Sequence, residues 1–576
     1  MNISSNETEK KAISYKKVGR ETEVTALRTL ETDQQTQQEV ADQIRVPRTT
    51  LQHWLYRKRS MSDQIDPEVV AFCESPEGLA FLHQITTAAL YTFHKMSGSG
   101  LHTIQTFLKL SQINQFIGCS IGSLQKESNN MDGNLTLFGT EEIDRLAANM
   151  KNKKISLVGD ETFLPGAMIL VMMDPVSNFI LSEEIREKRD AATWNEVTAP
   201  ILKKLNVEVI QLSGDEGSGL TSFVLNTLGV HKASDLFHVQ QDITKSVGGH
   251  LARAENSSKK SLKELEEKKQ KAYDRARKVL MESSDNSQKC LDKVSKEAKK
   301  IGNCENLIKT AESKIQKAAE DREIISSERK HIGDLYHPID LETGKDRTPD
   351  ELEKALNESY DKIEAVLESN GCSDKQKKRL AKSRKMISSL KKTLTFFWYS
   401  IAAIVSGMNL GLELECVFYK QLLPLSYLRL RLGRCRDKNQ KISLERIIES
   451  IEITLNSRDG PWNNLSQERK KELMAKGREC AEIFQRSSSC VEGRNGFLAL
   501  LHHGHKRLSA QRLRVLTIIH NFGITRKDGT TAAERLFGEK PRDLFDYLLE
   551  NTNWPIRPRR SSWSKLRRLS AKTEAA

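Results

Sequence analysis

The tripeptide Gly-Asp-Glu occurs twice in the chain, each time at the end of a short apolar run. The first copy is residues 159–161 and the second is residues 214–216. Each run predicts a buried strand, and neighbouring strands lie about 4.8 Å apart, so acids at their carboxyl ends converge. Two carboxylates this close repel each other unless a cation lies between them, and such oxygen ligands suit Mg²⁺ or Mn²⁺. The spacing therefore predicts a metal site that contains Asp160 and Asp215.

The glutamates of the two tripeptides are predicted to point away from this site. A strand sends adjacent side chains to opposite faces, so Glu161 and Glu216 should not share the face of Asp160 and Asp215. The glycine before each aspartate allows the backbone of a substrate to approach closely. We therefore expect the aspartates, and not the glutamates, to bind the metal.

Residues 151–245 show the patterns of five strands and two helices. The predicted order is a strand at 155–159, a strand at 167–173, a strand from 179, a helix at 190–205, a strand at 207–212, a helix at 218–228 and a strand at 235–239. Asp174 and Pro175 supply turn residues between the second and third strands, which predicts a hairpin. This succession of elements is the order of a ribonuclease H-like sheet, here the first part of a catalytic core.

The first unit, residues 1–62, contains the pattern of a helix-turn-helix at 36–58. A short apolar-faced helix ends at Val46-Pro47, and a second helix follows with Leu51 and Trp54 on its buried side. In a helix-turn-helix, the start of the second helix lies in the major groove of double-stranded DNA. A plain helical hairpin with a basic exposed side gives the same pattern. The residues predicted to contact DNA are Arg48, Thr49, Thr50, Gln52, His53, Arg57 and Lys58.

The rest of the chain is predicted to be helical. The long charged stretch at 257–330 has apolar residues at helical spacing, which predicts a coiled-coil-like arm. Residues 112–125 fit a second helix-turn-helix, and two packed helices would fit them equally well. The predicted units are a helical region at 63–150, an all-helical insertion at 246–485, the second part of the core at 486–555 and a basic tail at 556–576.

Composition restricts the class of protein. Lys and Arg number 91 against 77 Asp and Glu, a net charge of +14 that favours a polyanionic partner. The 9 cysteines form no Cys-x-x-Cys pair, which argues against a disulfide framework or a structural zinc site. The N-terminus lacks the apolar region of a signal peptide, and the apolar stretch at 394–412 carries enough polar residues to favour a buried helix over a membrane span. We therefore expect a cytoplasmic protein.

With Asp160 after the first strand and Asp215 after the fourth, the chain resembles the DDE-type transposases and retroviral integrases. In that family a third acid, usually Glu, lies on a helix after the fifth strand, often beyond an inserted domain. The matching residue here is Glu492, in the stretch SSSCVEGRNGFLALLHHGHKRLS. Residues 513–538 are also similar to the C-terminal part of bacterial insertion-sequence transposases.

The resemblance implies a ribonuclease H-like five-stranded mixed sheet with helices, interrupted by a large all-α insertion and preceded by a helix-turn-helix. It implies DNA strand cleavage and strand transfer with two Mg²⁺ or Mn²⁺ ions held by Asp160, Asp215 and Glu492. His238, Arg494 and Asn495 are candidates for active-site support.

The implied partners are the DNA ends of a mobile element and a target DNA. The implied assembly is a homodimer or larger on DNA, associated with the bacterial nucleoid and not with a membrane. The alternative is a decayed or domesticated transposase that binds DNA without cutting it.

Overall fold

The computed structural model describes residues 18–32, 35–282, 288–457, 460–505 and 508–558. Seven helices precede the first strand: α1 (Arg20–Thr32), α2 (Gln37–Gln43), α3 (Arg48–Ser62), α4 (Pro67–Cys73), α5 (Pro76–Ala89), α6 (Leu101–Leu110) and α7 (Ile121–Asn149). Within these described ranges, five π-helical segments extend or join helices, at Leu90–Met96, Phe223–Leu228, Thr244–Gly248, Phe418–Leu422 and Ile519–Gly523.

The two helices predicted at 36–58 are present as α2 and α3. A capping box between Thr36 and Glu39 begins α2, and the chain turns at Arg45, which has a φ of 55°. Helix α1 packs on this pair through Leu27, next to Trp54 of α3, in a small separate core. The predicted short helix at 112–117 is wrong, because Gln112 is left-handed and only Ile113–Gln115 form one 3₁₀ turn.

One five-stranded mixed sheet follows, with the strand order β3-β2-β1-β4-β5. The strands are β1 (Lys153–Leu164), β2 (Ala167–Met173), β3 (Ile180–Arg186), β4 (Val207–Gly214) and β5 (His231–Ser234). Strand β1 pairs antiparallel with β2 and parallel with β4, and β4 pairs parallel with β5. The apolar run of β1 is buried on both faces, since Leu157 and Val158 belong to different hydrophobic clusters.

Helices α8 (Ala191–Lys204), α9 (Ser218–Ser222) and α10 (Leu236–Ile243) lie between and after the last strands. The predicted fifth strand at 235–239 is wrong. The strand is the four residues before it, and the side chain of Asp235 caps α10 by accepting a hydrogen bond from the amide of Phe237 at 2.8 Å. His238 therefore lies on a helix and not at the end of a strand.

The described part of the insertion is mainly helical, with a non-helical connection at 336–348 that contains a bridge between Ile339 and Asp346. Its helices are α11 (Gly249–Glu282), α12 (Gln288–Leu335), α13 (Pro349–Ser369), α14 (Asp374–Lys385), α15 (Ile387–Gly407), α16 (Leu412–Val417), α17 (Leu423–Arg434), α18 (Lys438–Leu455) and α19 (Gln467–Glu482). Helices α11 and α12 run antiparallel and form the predicted arm, with ion pairs such as Lys269–Glu305 between them. The apolar stretch at 394–412 belongs mainly to α15, whose Phe397 and Ile401 are buried in the core of the insertion.

The chain returns to the sheet through α20 (Ser489–His505) and α21 (Ala510–Ile518), and ends with α22 (Ala532–Phe537) and α23 (Leu544–Asn551). Val491 and Leu498 of α20 pack with Val158 of β1. Within the described ranges, no helix combines the length and the apolar character needed to cross a membrane. Most of the predicted basic tail, residues 559–576, lies outside the described residues.

Candidate metal centre

Asp160 and Asp215 meet because of the register between β1 and β4. Gly159 pairs with Gly214, so the next residue of each strand is an aspartate. A Cβ atom on Gly214 would lie 2.6 Å from the carbonyl oxygen of Gly159, so only glycine allows this close approach. The predicted pair of aspartates is therefore brought together where the pairing of the two strands ends.

Glu161 joins the two aspartates, which corrects the prediction that it points away. One carboxylate oxygen each from Asp160, Glu161 and Asp215 lies within 4.8 Å of the others. The pairing of β1 with β4 ends at Gly159, so side chains from both faces of β1 can approach Asp215 beyond that point. The repeated tripeptide could have indicated Glu161 as a ligand. The alternation of side chains along a strand led instead to the prediction that Glu161 points away from the site. Glu216, by contrast, is exposed.

Helix α20 brings polar side chains to Asp160. Asn495 donates a hydrogen bond from Nδ2 to Oδ2 of Asp160 at 2.9 Å. Glu492 lies three residues earlier, in the first turn of α20 and on the same side of the helix. The Glu492 carboxylate does not belong to the group formed by Asp160, Glu161 and Asp215, but its charge affects the pKa of Asp160. Burial, and then the charges of Glu492, Asp215 and Glu161, raise the pKa of Asp160 to about 8.

Arg494 is not available to contact a phosphate group. Its Nε and Nη2 donate hydrogen bonds to the two carboxylate oxygens of Glu183 on β3, at 2.7 and 2.6 Å, and both side chains are buried. Thr517 of α21 also donates to Glu183, at 2.7 Å. Arg494 therefore fixes α20 against the sheet. Nothing in the sequence indicated Glu183, because its partners are distant in the chain.

Asp235 connects α20 to the end of β5. Its Oδ2 accepts hydrogen bonds from the hydroxyl and the amide of Ser488, just before α20 begins. His238 lies 3.8 Å from the same oxygen. Burial and the charge of Asp235 raise the pKa of Glu492, whereas His238 opposes this increase. The predicted supporting residues His238 and Asn495 thus both lie beside the acidic groups.

The donor set fits a hard divalent cation. It consists of carboxylate oxygens, and Oε2 of Glu161 is buried without a hydrogen-bond partner, while Oε1 pairs with Arg189. The burial of several negative charges with few balancing cations is unfavourable unless a cation binds. An open cleft of about 520 Å³, lined by Glu161, Arg189, Gly217 and Ser218 among others, gives access to this side.

The predicted DNA-contacting residues of α3 fall into two groups. Arg48, Thr49, Gln52 and His53 are exposed and Thr50 is half-buried, at the start of the helix. Further along, Arg57 forms an ion pair with Glu23 at 3.0 Å, and Lys58 forms one with Glu31 at 2.7 Å. These two basic residues hold α3 to α1.

The C-terminal quarter of the chain matches a family model. Residues 418–564 match DUF6399, a family of unknown function, and this segment contains Glu492, Arg494 and Asn495. No curated protein and no solved structure gives a significant match to the chain.

Proposed function

We propose that the chain is a DNA transposase with a ribonuclease H-like core, which cleaves and joins DNA strands with the help of divalent metal ions. The observation that carries this proposal is the meeting of Asp160, Glu161 and Asp215 at the end of the β1–β4 pairing. The strand order and the return of α20 with Glu492 beside Asp160 also agree with the resemblance.

The three clustered carboxylates would hold Mg²⁺ or Mn²⁺, and Glu492 would complete a site for two ions. When bound, these ions supply positive charge that activates the attacking hydroxyl and stabilises the leaving oxygen of a phosphodiester. The protein itself orients the acids. Asn495 holds Asp160, Arg189 holds Glu161, and the Arg494–Glu183 pair holds the helix that carries Glu492.

The α2–α3 pair supplies the proposed contact with double-stranded DNA. The exposed polar side chains at the start of α3 include Arg48, Gln52 and His53, which suit contacts to base edges and phosphates in a major groove. Arg57 and Lys58 are left out of this surface because their charges are already paired. A dimer or larger assembly on DNA, associated with the bacterial nucleoid, remains a prediction.

Cleavage of labelled DNA tests the proposal. The substrate carries the chromosomal sequences that flank the gene, and the purified full chain is incubated with Mg²⁺ or Mn²⁺. The test variants are Asp160→Asn, Asp215→Asn and Glu492→Gln. The matched control is Glu216→Gln, which changes the exposed glutamate of the second tripeptide and keeps an oxygen that can accept the hydrogen bond from Ser234. We expect the wild type and the control to cut, and the three test variants to bind DNA but lose at least about a thousandfold in rate.

The other outcomes are also informative. Cleavage by Glu492→Gln would mean that another residue acts as the third acid. Binding without cleavage by the wild type, with either metal, would contradict the proposal and favour the DNA-binding alternative.

A further inference from the structure

A large basic cleft lies between the insertion and the core, on the other side of α20 from the acidic cluster. Its volume is about 1000 Å³. It is bordered by the end of α17, by the segment between α19 and α20, and by a loop after α21. The basic residues that line it are Arg431, Arg434, Arg436, Lys441, Arg486, Arg526 and Lys527.

The positive charge of this cleft exceeds the negative charge of the acids in its lining. Among its described lining residues, Glu482 is the one carboxylate, and it pairs with Arg478 at 3.2 Å. Arg434, Arg436 and Lys527 are exposed, and no acid forms an ion pair with them within the described part of the chain. Burial, followed by the nearby charge of Arg434, lowers the pKa of Arg526, whereas Asp528 and Asp174 oppose this decrease. Cations from the insertion and from the core therefore face each other across the cleft.

Two of the arginines keep unused donors. The Nε atoms of Arg431 and Arg486 are buried and have no hydrogen-bond partner, although Arg486 also donates from Nη2 to the carbonyl oxygen of Gly333. A buried donor without a partner costs free energy, and in native proteins it commonly marks a position where a ligand or water binds. This observation is independent of the surface charge and agrees with a ligand or water that accepts hydrogen bonds in the cleft.

The lining favours a ligand that presents phosphate groups and no base. Tyr427 and Phe484 are the aromatic residues of the lining, and they are 3% and 6% exposed, so neither ring offers a face for stacking. The guanidinium groups, however, have the fork geometry that suits phosphate. Contacts of this kind bind the backbone of a nucleic acid without reading its sequence.

The cleft lies close to the acidic site. Cys490 lines the cleft, and Glu492 follows two residues later in the first turn of α20. Residues two apart point to opposite sides of a helix, which is about 10 Å wide, so about five stacked nucleotides would cover the path of about 16 Å around it. We propose that this cleft binds the phosphate backbone of a DNA strand. The inference extends the proposed function, since it gives the strand beside the acidic site a second contact, but binding in the cleft needs neither metal nor cleavage.

A binding experiment with a matched control tests this assignment. Fluorescence anisotropy is measured on the full chain with a labelled single-stranded DNA of about 20 nucleotides, in chelator, over a range of salt concentrations. The cleft variant is Arg434→Ala/Arg436→Ala/Lys527→Ala. The control is Lys260→Ala/Lys263→Ala/Lys268→Ala, which removes the same charge from exposed positions on α11. The melting temperatures of both variants verify that they are folded.

We expect the cleft variant to bind at least about tenfold more weakly. The slope of log K against log salt should fall by about two, as three lost phosphate contacts require for a single strand, and the control should change affinity less than about twofold. Equal losses in both variants, or no loss in the cleft variant, would overturn the proposal.

A competition experiment separates a DNA strand from a free polyphosphate. If ATP displaces the oligonucleotide and binds the wild type but not the cleft variant, the ligand is a nucleotide and the assignment to DNA is wrong. If ATP weakens binding of the oligonucleotide no more than a simple salt at the same ionic strength does, the assignment to DNA stands. Binding in the cleft together with a complete lack of cleavage in Mg²⁺ or Mn²⁺ would leave this inference intact and remove the proposed function.

Discussion

The coiled-coil arm and the region around α20 both carry dense charge, but they arrange it in opposite ways. On the arm, exposed cations and anions alternate and pair, as Lys269 and Glu305 do at 2.8 Å. Around α20, next to one buried pair, Glu183–Arg494, acids predominate in the metal site and cations predominate in the cleft. Paired surface charge contributes little to stability, whereas buried charge of one sign is costly unless a ligand neutralises it. Function is therefore indicated by the clusters of unpaired charge in the metal site and the cleft, and not by the total charge of the protein.

The largest effect is expected at the buried pair. Arg494→Ala leaves the Glu183 carboxylate buried without its cation and should lower the free energy of unfolding by about 3–5 kcal/mol. Urea unfolding measures this change. The double variant Glu183→Gln/Arg494→Met removes both charges and should be less damaging than Arg494→Ala alone. If Arg494→Ala lowers the free energy of unfolding by less than about 1 kcal/mol, the buried pair contributes no more to stability than the surface pairs of the arm, and the comparison is wrong.

The next effect is stabilisation by metal. Mn²⁺ at a hundred times its dissociation constant should stabilise the wild type by about 2.7 kcal/mol, because it binds the folded acidic cluster. Thermal unfolding with and without Mn²⁺ measures the shift. Asp160→Asn and Asp215→Asn should lose it, and Glu216→Gln should keep it. If all the variants respond as the wild type does, Mn²⁺ binds elsewhere.

Without metal, one substitution in the acidic cluster is expected to stabilise the protein slightly. With a pKa of about 8, Asp160 must take up a proton on folding at neutral pH in chelator, and Asp160→Asn avoids this cost, so it should raise the free energy of unfolding by on the order of 1 kcal/mol. Glu216→Gln, at an exposed position, should leave it unchanged. Destabilisation by Asp160→Asn would show that the Asn495 hydrogen bond outweighs the cost of proton uptake.

The smallest effect belongs to the arm. Lys269→Ala breaks a partly exposed pair with Glu305, and the loss in free energy of unfolding should be far smaller than for Arg494→Ala. The same urea titration measures it, and added salt should reduce the difference further. A cost comparable to that of Arg494→Ala would mean that the arm contributes to the stability of the core.

The sequence predicts the sheet well where strands are buried on both faces. The apolar runs of β1, β2 and β4 stand out because both sides of each strand pack against helices or other strands. Strand β5 was missed since it is a polar run of four residues, His231–Ser234, that is held by its pairing with β4 and by α15, where Phe396 stacks on His231. The apolar residues after Asp235 belong to a capped helix, which alternation over a few residues cannot distinguish from a strand.

The candidate site was predicted in part for a similar reason. Asp160 and Asp215 follow from local spacing, because the strand ends themselves bring them together. Glu161 depends on where the β1–β4 pairing stops, and the Glu183–Arg494 pair depends on how a helix returns after the insertion. Such relations between distant segments leave no pattern in a single sequence.

The central claim is that the acidic cluster binds a divalent metal, and crystals grown with Mn²⁺ test it most directly. Anomalous scattering from Mn²⁺ locates the ion without reference to activity. We expect a peak coordinated by oxygens of Asp160 and Asp215, with Glu161 or Glu492 as a further ligand, and no such peak in Asp160→Asn. A fully loaded crystal with no Mn²⁺ at this cluster would contradict the account.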